Sequence, residues 1–259
     1  MNLDIQGKTA LVTGSGRGLG AGICKNLNKH GVRIIGLSRS QDSLDTLKKE
    51  LSDTSSGDNM FFCIDLLNPE KTSEIIKEIK VKEVTPDIIV NNAGGGIGSR
   101  DPLQTLSSWT DVVRLNLECA IQINEAFIPT MQEKKWGRVC HVSSIASLEN
   151  QGPPSYCAAK AGLNAYVRSL ARYVAEDNVI LTTVMPGAVF TEGGYWDITK
   201  KDRPDHVKKY LTERMAIKRF GTIDEIANAV TFLCSNLSSF CVGTNILIDG
   251  GQGRVFHEG

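Results

Sequence analysis

The segment Thr13-Gly14-Ser15-Gly16-Arg17-Gly18-Leu19-Gly20 gives the clearest indication of how this chain folds. It follows residues 8–12, an apolar run of strand length, and precedes residues 19–27, whose apolar spacing predicts a helix. Glycine-rich backbone at such a junction lets a pyrophosphate approach closely, and the first amide groups of the helix then face the anion. The segment therefore predicts a strand, a tight turn and a helix start that together bind a dinucleotide.

Strand-like and helix-like segments alternate along the rest of the chain. Further strands are predicted at residues 32–37, 60–64, 88–90, 138–142, 179–185 and 245–248, with helices between them. This alternation predicts an α/β fold, a doubly wound parallel sheet of the Rossmann type with about seven strands and helices on both faces. A length of 259 residues fits one such domain, residues 1–259, with its ligands at the carboxyl ends of the strands.

Composition excludes several classes of function. The chain has 29 basic and 29 acidic residues and no basic run, so we expect no nucleic-acid partner. No segment has the pattern of a signal peptide or the length of a membrane span, and we expect a cytoplasmic protein that does not bind membranes. The seven cysteines form no Cys-x-x-Cys and are interpreted as reduced thiols, mostly in the core.

The four histidines do not have the spacing of metal ligands, so no metal site is predicted. His141 lies two residues before Ser143 on a predicted strand and is interpreted as a core histidine with satisfied hydrogen bonds. His257 lies close to the end of the sequence.

A second group of motifs points to chemistry. Tyr156 and Lys160 are four residues apart and share one face of a predicted helix, where an ammonium beside a phenol favours the ionised phenol. Ser143 lies at the end of a predicted strand, and Asn116 is a polar amide in an apolar segment. The remaining motifs are Asp65-Leu66, Asn91-Asn92-Ala93-Gly94, Pro186-Gly187 and Asp249-Gly250-Gly251.

Taken together, these motifs resemble those of the short-chain dehydrogenase/reductase family over essentially the whole chain, and most closely its 3-oxoacyl-carrier-protein reductases. The glycine spacing Gly-x-x-x-Gly-x-Gly fits that family better than the common Gly-x-Gly-x-x-Gly. The resemblance implies hydride transfer between a nicotinamide and a ketone or secondary alcohol. Tyr156 would pass the proton, Ser143 would hold the substrate oxygen, Lys160 would lower the pKa of the tyrosine and bind the ribose, and Asn116 would hold a relay water.

The resemblance also implies how the cofactor is held. Asp65 and Leu66 would hold the adenine, Asn91 and Gly94 the adenine ribose side, and Thr191 the nicotinamide amide. Where NAD-binding folds carry an acid after the second strand, this chain has Ser38-Arg39, and with Arg17 these residues favour NADP(H) over NAD(H). The full cofactor set is predicted as Gly14, Ser15, Gly16, Arg17, Gly18, Leu19, Gly20, Ser38, Arg39, Asp65, Leu66, Asn91, Asn92, Ala93, Gly94, Tyr156, Lys160, Pro186, Gly187, Val189 and Thr191.

Residues 191–220 form a long insertion at the active edge, interpreted as a substrate lid with Gly194, Tyr195 and Trp196 at its start. A rigid subunit contact is the alternative interpretation of this segment. The two aromatic residues also suit the stacking of a sugar ring, so the substrate stays open between a 3-oxoacyl-carrier thioester and a sugar, nucleotide sugar or polyol. A catalytically inactive dinucleotide sensor is a third hypothesis, which the complete catalytic set disfavours.

Partners are predicted from two surfaces. Arg172 matches a basic position that members of the family use to bind an acyl carrier protein, and Lys134-Lys135 lie near another, although ordinary surface charge explains these residues equally well. The helix predicted over 156–174 is small or apolar around much of its circumference, which indicates a second buried face and, by the resemblance, a homotetramer.

Overall fold

The computed structural model describes residues 2–53, 57–98 and 101–254; His257 lies outside them. Seven parallel strands form one sheet in the order β3-β2-β1-β4-β5-β6-β7, which confirms the predicted fold class. The strands are β1 Thr9–Thr13, β2 Arg33–Ser38, β3 Met60–Cys63, β4 Ile88–Asn91, β5 Gly137–Val142, β6 Val179–Pro186 and β7 Asn245–Ile248.

Helices cover both faces of the sheet. They are α1 Gly18–Lys29, α2 Gln41–Glu50, α3 Pro69–Val81, α4 Leu106–Val113, α5 Cys119–Glu133, α6 Pro154–Val174, α7 Tyr195–Asp202, α8 Pro204–Arg214 and α9 Ile223–Leu233. One core packs α1, α2 and α9 against the sheet, and a second core packs α3, α5 and α6 against its other face. Strands buried on both faces read as continuous apolar runs, which is why their positions follow from the sequence.

The sheet reverses its strand order at β1, which lies between β2 and β4. Strand order reversal leaves a crevice at the carboxyl ends of the strands, where ligands bind in open α/β sheets. The glycine segment follows β1 at this edge, Asn92 follows β4 and Ser143 follows β5. The fold therefore brings together motifs that lie far apart in the sequence.

The cysteines are only partly where the sequence predicts them. Cys24, Cys119, Cys140 and Cys234 are buried, but Cys63 is exposed at the end of β3. Cys63 belongs to β3, the strand at one edge of the sheet, where alternate side chains face away from the core. The interpretation as core thiols is therefore wrong for Cys63.

Within the described ranges, none of the helices is long and apolar enough to cross a bilayer. The same part of the chain contains no group of three or more histidine, cysteine, aspartate or glutamate side chains arranged to hold a metal ion.

Candidate active site

A cavity of about 640 Å³ opens at the carboxyl edge of the sheet. It runs from the glycine segment and the end of β2 to the start of α6 and the segment that follows β6. Most of the predicted site residues line it: Gly14, Arg17, Gly18, Leu19, Gly20, Ser38, Arg39, Leu66, Asn92, Ala93, Gly94, Ser143, Tyr156, Lys160, Pro186, Gly187, Val189, Thr191, Gly194 and Trp196.

The glycine segment has the backbone of an anion site. Gly14 and Gly18 have φ values of +64° and +56°, a region that favours glycine, and a Cβ on Gly20 would lie 2.1 Å from the Gly14 carbonyl oxygen. No side chain caps the amino end of α1, so its first amide groups stay available to an anion at the positive end of the helix dipole. These features fit a bound pyrophosphate.

Some predicted residues support the cavity without lining it. Ser15 is fully buried and donates its hydroxyl to the Leu37 carbonyl at 3.2 Å. Asn91 is buried and donates to Asn124 at 3.0 Å. Gly16 packs against Ser38, where a Cβ would come within 2.5 Å of the serine hydroxyl oxygen. The side chains of Ser15 and Asn91 face the protein interior. Their buried positions therefore do not favour direct contact of these side chains with a cofactor.

Asp65 lines a smaller neighbouring cavity, which it shares with Arg39 and Cys63. Its carboxylate accepts the Leu67 amide at 3.1 Å, so it shapes the turn after β3. The adjoining Leu66 is buried and reaches the main cavity.

The end of the cavity next to β2 is positively charged. Arg17 and Arg39 line it with Ser38, and Glu192, beside Thr191 in the segment after β6, is the one acidic residue among the described lining residues. Ser40 and Ser43, at the start of α2, also line this end and are not among the residues predicted from the sequence. The N-cap pattern of α2 could have identified them in the sequence, because the Ser40 hydroxyl accepts the Ser43 amide.

Tyr156 and Ser143 meet at the opposite end of the cavity. Burial raises the pKa of Tyr156 above its ordinary value, and a hydrogen bond with the Ser144 hydroxyl only partly offsets that effect. In the protein without its cofactor desolvation is the larger effect, and the expectation that Lys160 lowers this pKa stays a prediction. Tyr156 is a neutral phenol at neutral pH, the form that can donate a proton.

Ser144 is a residue that the sequence analysis missed. Strand alternation predicts that it faces away from Ser143, but β5 ends at Val142 and the alternation ends with it. Both serines line the cavity. The Ser143 hydroxyl donates to the Lys160 carbonyl at 3.3 Å, and Ser144 is the serine whose hydrogen bond lowers the pKa of Tyr156.

Lys160 is almost completely buried, with 2% of its surface exposed. Its ammonium donates to the Val142 carbonyl at 2.8 Å and lies 5.8 Å from the centre of the Tyr156 ring. Desolvation lowers the pKa of Lys160 to about 8. The side chain is therefore held by one backbone acceptor and titrates within the range where enzymes work.

Asn116 lies in a π-helical turn, Arg114–Glu118, between α4 and α5. Its amide donates to the carbonyls of Gly95 at 3.0 Å and Val112 at 2.9 Å, and its oxygen accepts the Gly95 amide at 2.9 Å. Asn116 thus fixes the loop after β4 and does not line the cavity directly. A π turn is a common device at functional sites because it redirects a helical side chain.

His141 is a core residue, as its interpretation predicts. Its ring nitrogens bond the Thr182 carbonyl at 3.2 Å and the Asn124 amide at 3.0 Å, and burial lowers its pKa to about 4. It is therefore neutral at neutral pH. Asn91, which pairs with His141 in the sheet register, bonds the same Asn124 side chain and belongs to this network beneath the cavity.

The insertion after β6 forms two helices, α7 and α8, whose aromatic side chains cluster around Trp196. The centre of its ring system lies 4.3 Å from that of Tyr210, 4.8 Å from Phe220 and 5.0 Å from Tyr195. Trp196 lines the cavity, whereas Tyr195 is 44% exposed and does not. The predicted stacking role therefore suits Trp196 better than Tyr195.

The basic residues that are predicted to bind an acyl carrier protein lie at the edge of the sheet opposite the cavity. Lys134 and Lys135 precede β5, where Lys134 pairs with Asp87 and Lys135 with Asp177, and Arg172 lies in the last turn of α6. A strand the length of β5 separates the two edges by about 20 Å. Within one subunit these residues do not flank the cavity.

Comparison with known proteins adds independent findings. The family model described as short chain dehydrogenase matches residues 8–203. The 3-oxoacyl-[acyl-carrier-protein] reductase of Buchnera aphidicola subsp. Schizaphis graminum is 36% identical over 253 residues, which cover 96% of this chain and 99% of that protein.

Two solved structures share the fold over nearly their full length. One is a 3-oxoacyl (acyl-carrier-protein) reductase from Agrobacterium tumefaciens with NADP bound, with a TM-score of 0.88 and 29% identity over 96% of each chain. The other is L-sorbose reductase from Gluconobacter frateurii in complex with NADPH and L-sorbose, with a TM-score of 0.90 and 27% identity over 99% of this chain and 100% of that one. The motifs, the sheet order and these similarities lead to one conclusion: the chain belongs to the short-chain dehydrogenase family of oxidoreductases.

Proposed function

We propose that this protein is an NADP(H)-dependent oxidoreductase that reduces a ketone to a secondary alcohol. The observation that carries the proposal is the single cavity that joins the glycine segment to Ser143, Tyr156 and Lys160. A phosphate-binding backbone at one end and a neutral phenol beside two hydroxyls at the other suit a dinucleotide and a carbonyl, respectively.

NADP(H) is favoured over NAD(H) by the charge at the β2 end. Arg17 and Arg39 line the cavity with Ser38, Ser40 and Ser43, a set that suits the 2′-phosphate of NADP. The corresponding acid of an NAD-binding fold is absent from the sequence after β2, which continues Ser38-Arg39-Ser40. The NADP-bound and NADPH-bound structural relatives support the same choice.

Each catalytic side chain has a proposed task. When bound, NADPH supplies the hydride. The Tyr156 hydroxyl gives its proton to the forming alkoxide, and the Ser143 hydroxyl donates a hydrogen bond to the same oxygen. Lys160, once charged, favours the tyrosinate left behind and can bind ribose hydroxyls, while Asn116 holds the loop against which the ammonium rests.

A 3-oxoacyl thioester is the first candidate substrate. The curated relative at 36% identity is named for that activity, and the similarity spans nearly the whole of both chains. We also propose that any acyl carrier protein contacts Arg172 or Lys134 and Lys135 only across a subunit boundary, since these residues lie at the far edge of the sheet. Reduction of the thioester should therefore not require the carrier.

A keto sugar is the second candidate, favoured by Trp196. This ring lines the cavity, and the L-sorbose reductase matches the chain over 99% of its length, the lid included. A polyol or nucleotide sugar belongs to the same class. A catalytically inactive sensor is the least supported alternative, because such a protein has no need of the proton-donating phenol. A homotetramer and a cytoplasmic location stay predictions.

The choice among substrates can be tested by following the absorbance of reduced nicotinamide. NADPH and NADH are each offered with acetoacetyl thioesters and with keto sugars, and NADP with sugar alcohols for the reverse reaction. Rapid oxidation of NADPH with the thioester supports the first candidate, and activity confined to sugars supports the second. Binding of NADPH without turnover of any ketone would favour the sensor.

The proton donor can be tested by Tyr156→Phe. We expect kcat to fall about 1,000-fold, because general acid catalysis typically contributes two to four orders of magnitude, while NADPH binding changes little. Tyr173→Phe is the matched control, since Tyr173 is 76% exposed near the end of α6, far from the cavity. Turnover by Tyr156→Phe at the rate of the control would contradict the assignment.

A further inference from the structure

Gln252 is a buried side chain that joins two walls of the active site. It is 2% exposed, although it follows the last strand in an irregular segment. Its amide oxygen accepts the Ala188 amide at 2.7 Å, and its amide nitrogen donates to the Tyr210 hydroxyl at 2.5 Å. Ala188 belongs to the segment after β6 that lines the cavity, whereas Tyr210 belongs to α8 of the lid.

The Asp249-Gly250-Gly251 motif brings Gln252 to this position. The Asp249 carboxylate accepts the amides of Gly251 and Gly253 and so closes the turn. Gly250 and Gly251 have φ values of +63° and +72°, which favour glycine. Gly187 leaves room for the approach, because a Cβ there would lie 2.7 Å from the Gln252 amide oxygen.

Both ends of this bridge reach the cavity. Val189 follows Ala188 and lines the cavity directly. On the other side, the Tyr210 ring lies 4.3 Å from the ring of Trp196, which also lines the cavity. Gln252 is therefore the shared hydrogen-bond partner of the cavity-lining segment after β6 and of the aromatic cluster of the lid.

We propose that Gln252 is a positioning residue that holds the lid aromatic cluster in register with the segment after β6, and thereby places Trp196 against the bound ketone. This proposal rests on the proposed ketone reductase function. Without the glutamine amide, the buried Ala188 amide loses its acceptor, which is costly, and the half-buried Tyr210 hydroxyl loses its donor. The lid helices would then shift relative to the cavity.

The test compares Gln252→Met, which keeps the side-chain length but removes both hydrogen bonds, with Gln132→Met. Gln132 lies on α5 near the opposite edge of the sheet, where it bonds Asp177, so it is a matched control. The first readout is acrylamide quenching of Trp196 fluorescence, taken as the difference between each protein and its Trp196→Phe version. It needs neither cofactor nor substrate.

We expect the Trp196 quenching constant to rise about twofold in Gln252→Met and to stay unchanged in Gln132→Met, because only the first change frees the lid. The value of kcat/KM for the ketone should fall about tenfold in Gln252→Met, mainly through KM, with NADPH affinity nearly unchanged. Unchanged quenching in folded Gln252→Met would overturn the proposal. If the wild-type protein reduces no ketone at all, the proposed function fails. The quenching result still tests whether Gln252 holds the lid, because it needs no turnover.

Tyr210→Phe provides a second arm that keeps the ring and removes only the hydroxyl. It should show a smaller rise in quenching than Gln252→Met, and the double variant should match Gln252→Met, because both changes break one bridge. Independent effects that multiply in the double variant would overturn the proposal. If Gln252→Met does not fold, the proposal would be overturned by a quenching constant for Tyr210→Phe that equals that of the wild-type protein.

Discussion

Lys160 combines deep burial with a charge. In the unfolded chain the Lys160 ammonium keeps its proton up to about pH 10.5. In the folded protein desolvation lowers the pKa of Lys160 to about 8. Between these values the unfolded state binds more protons, so the free energy of unfolding contributed by Lys160 rises with pH. Below pH 8 the buried ammonium costs the folded, cofactor-free protein about 3 kcal/mol through this difference in pKa.

Comparison with Lys160→Met isolates this effect from that of other titrating groups. We expect the stability of the wild-type protein, relative to that of Lys160→Met, to increase by about 3 kcal/mol from near pH 7 to near pH 10.5. Urea unfolding of both proteins without cofactor, at both pH values, measures it. A difference between the two proteins that does not vary with pH would show that Lys160 has an ordinary pKa.

Gly94 shows how closely the catalytic lysine is packed. A Cβ on Gly94 would lie 2.7 Å from the Asn116 side-chain oxygen and 2.9 Å from the Lys160 ammonium, whereas one on Gly96 would meet nothing within 4 Å. Neither glycine has a positive φ, so alanine fits the backbone at both positions. Gly94 lines the cavity and Gly96 does not, and an added methyl group would meet the catalytic lysine only at Gly94.

We therefore expect Gly94→Ala to reduce kcat about 10- to 100-fold by displacing Lys160, and Gly96→Ala to leave kcat near the wild-type value. Steady-state kinetics of both variants, with thermal unfolding to confirm that they fold, provides the measurement. Equal activity of the two variants would contradict this prediction, because it would show that the methyl group fits without disturbing the catalytic lysine.

At the scale of the elements, all seven strands could be predicted within one residue at each end. Strands such as β1 and β6 are buried on both faces and therefore appear as apolar runs between turn residues. The π turn at Arg114–Glu118 could not be predicted in this way. Within this turn Asn116 exchanges two hydrogen bonds with Gly95, 21 positions earlier, and no local spacing encodes such a contact.

The lid was predictable only in outline. Its length indicates an insertion, but the position of Trp196 depends on contacts with Tyr210 and Phe220, which lie 14 and 24 positions later. Likewise, the Gln252 bridge joins residues 64 positions apart. For the same reason, Ser144 could not be assigned to the tyrosine hydroxyl from the sequence, since the end of β5 determines where it points.

At the scale of the whole molecule, α6 links the catalytic site to a surface suited to a second subunit. Lys160 and Leu163 are buried on its inner face, whereas Ala158, Ala161 and Ala165 are exposed along the outer one. Alanines exposed in a row let another helix approach closely, which is the basis of the proposed tetramer. A charged side chain in that row would be buried without a partner in such an assembly.

Ala165→Glu should therefore dissociate the tetramer, and because α6 also carries Tyr156 and Lys160, kcat should fall with it. Thr46→Glu on α2 is the control, since it adds the same charge at an exposed helical position outside α6. Light scattering over a range of concentrations measures the mass of each protein. We expect the mass of a tetramer for wild type and Thr46→Glu and a smaller mass for Ala165→Glu. A wild-type protein that is monomeric at every concentration would rule out the tetramer, and an Ala165→Glu variant of full tetramer mass would place the interface elsewhere.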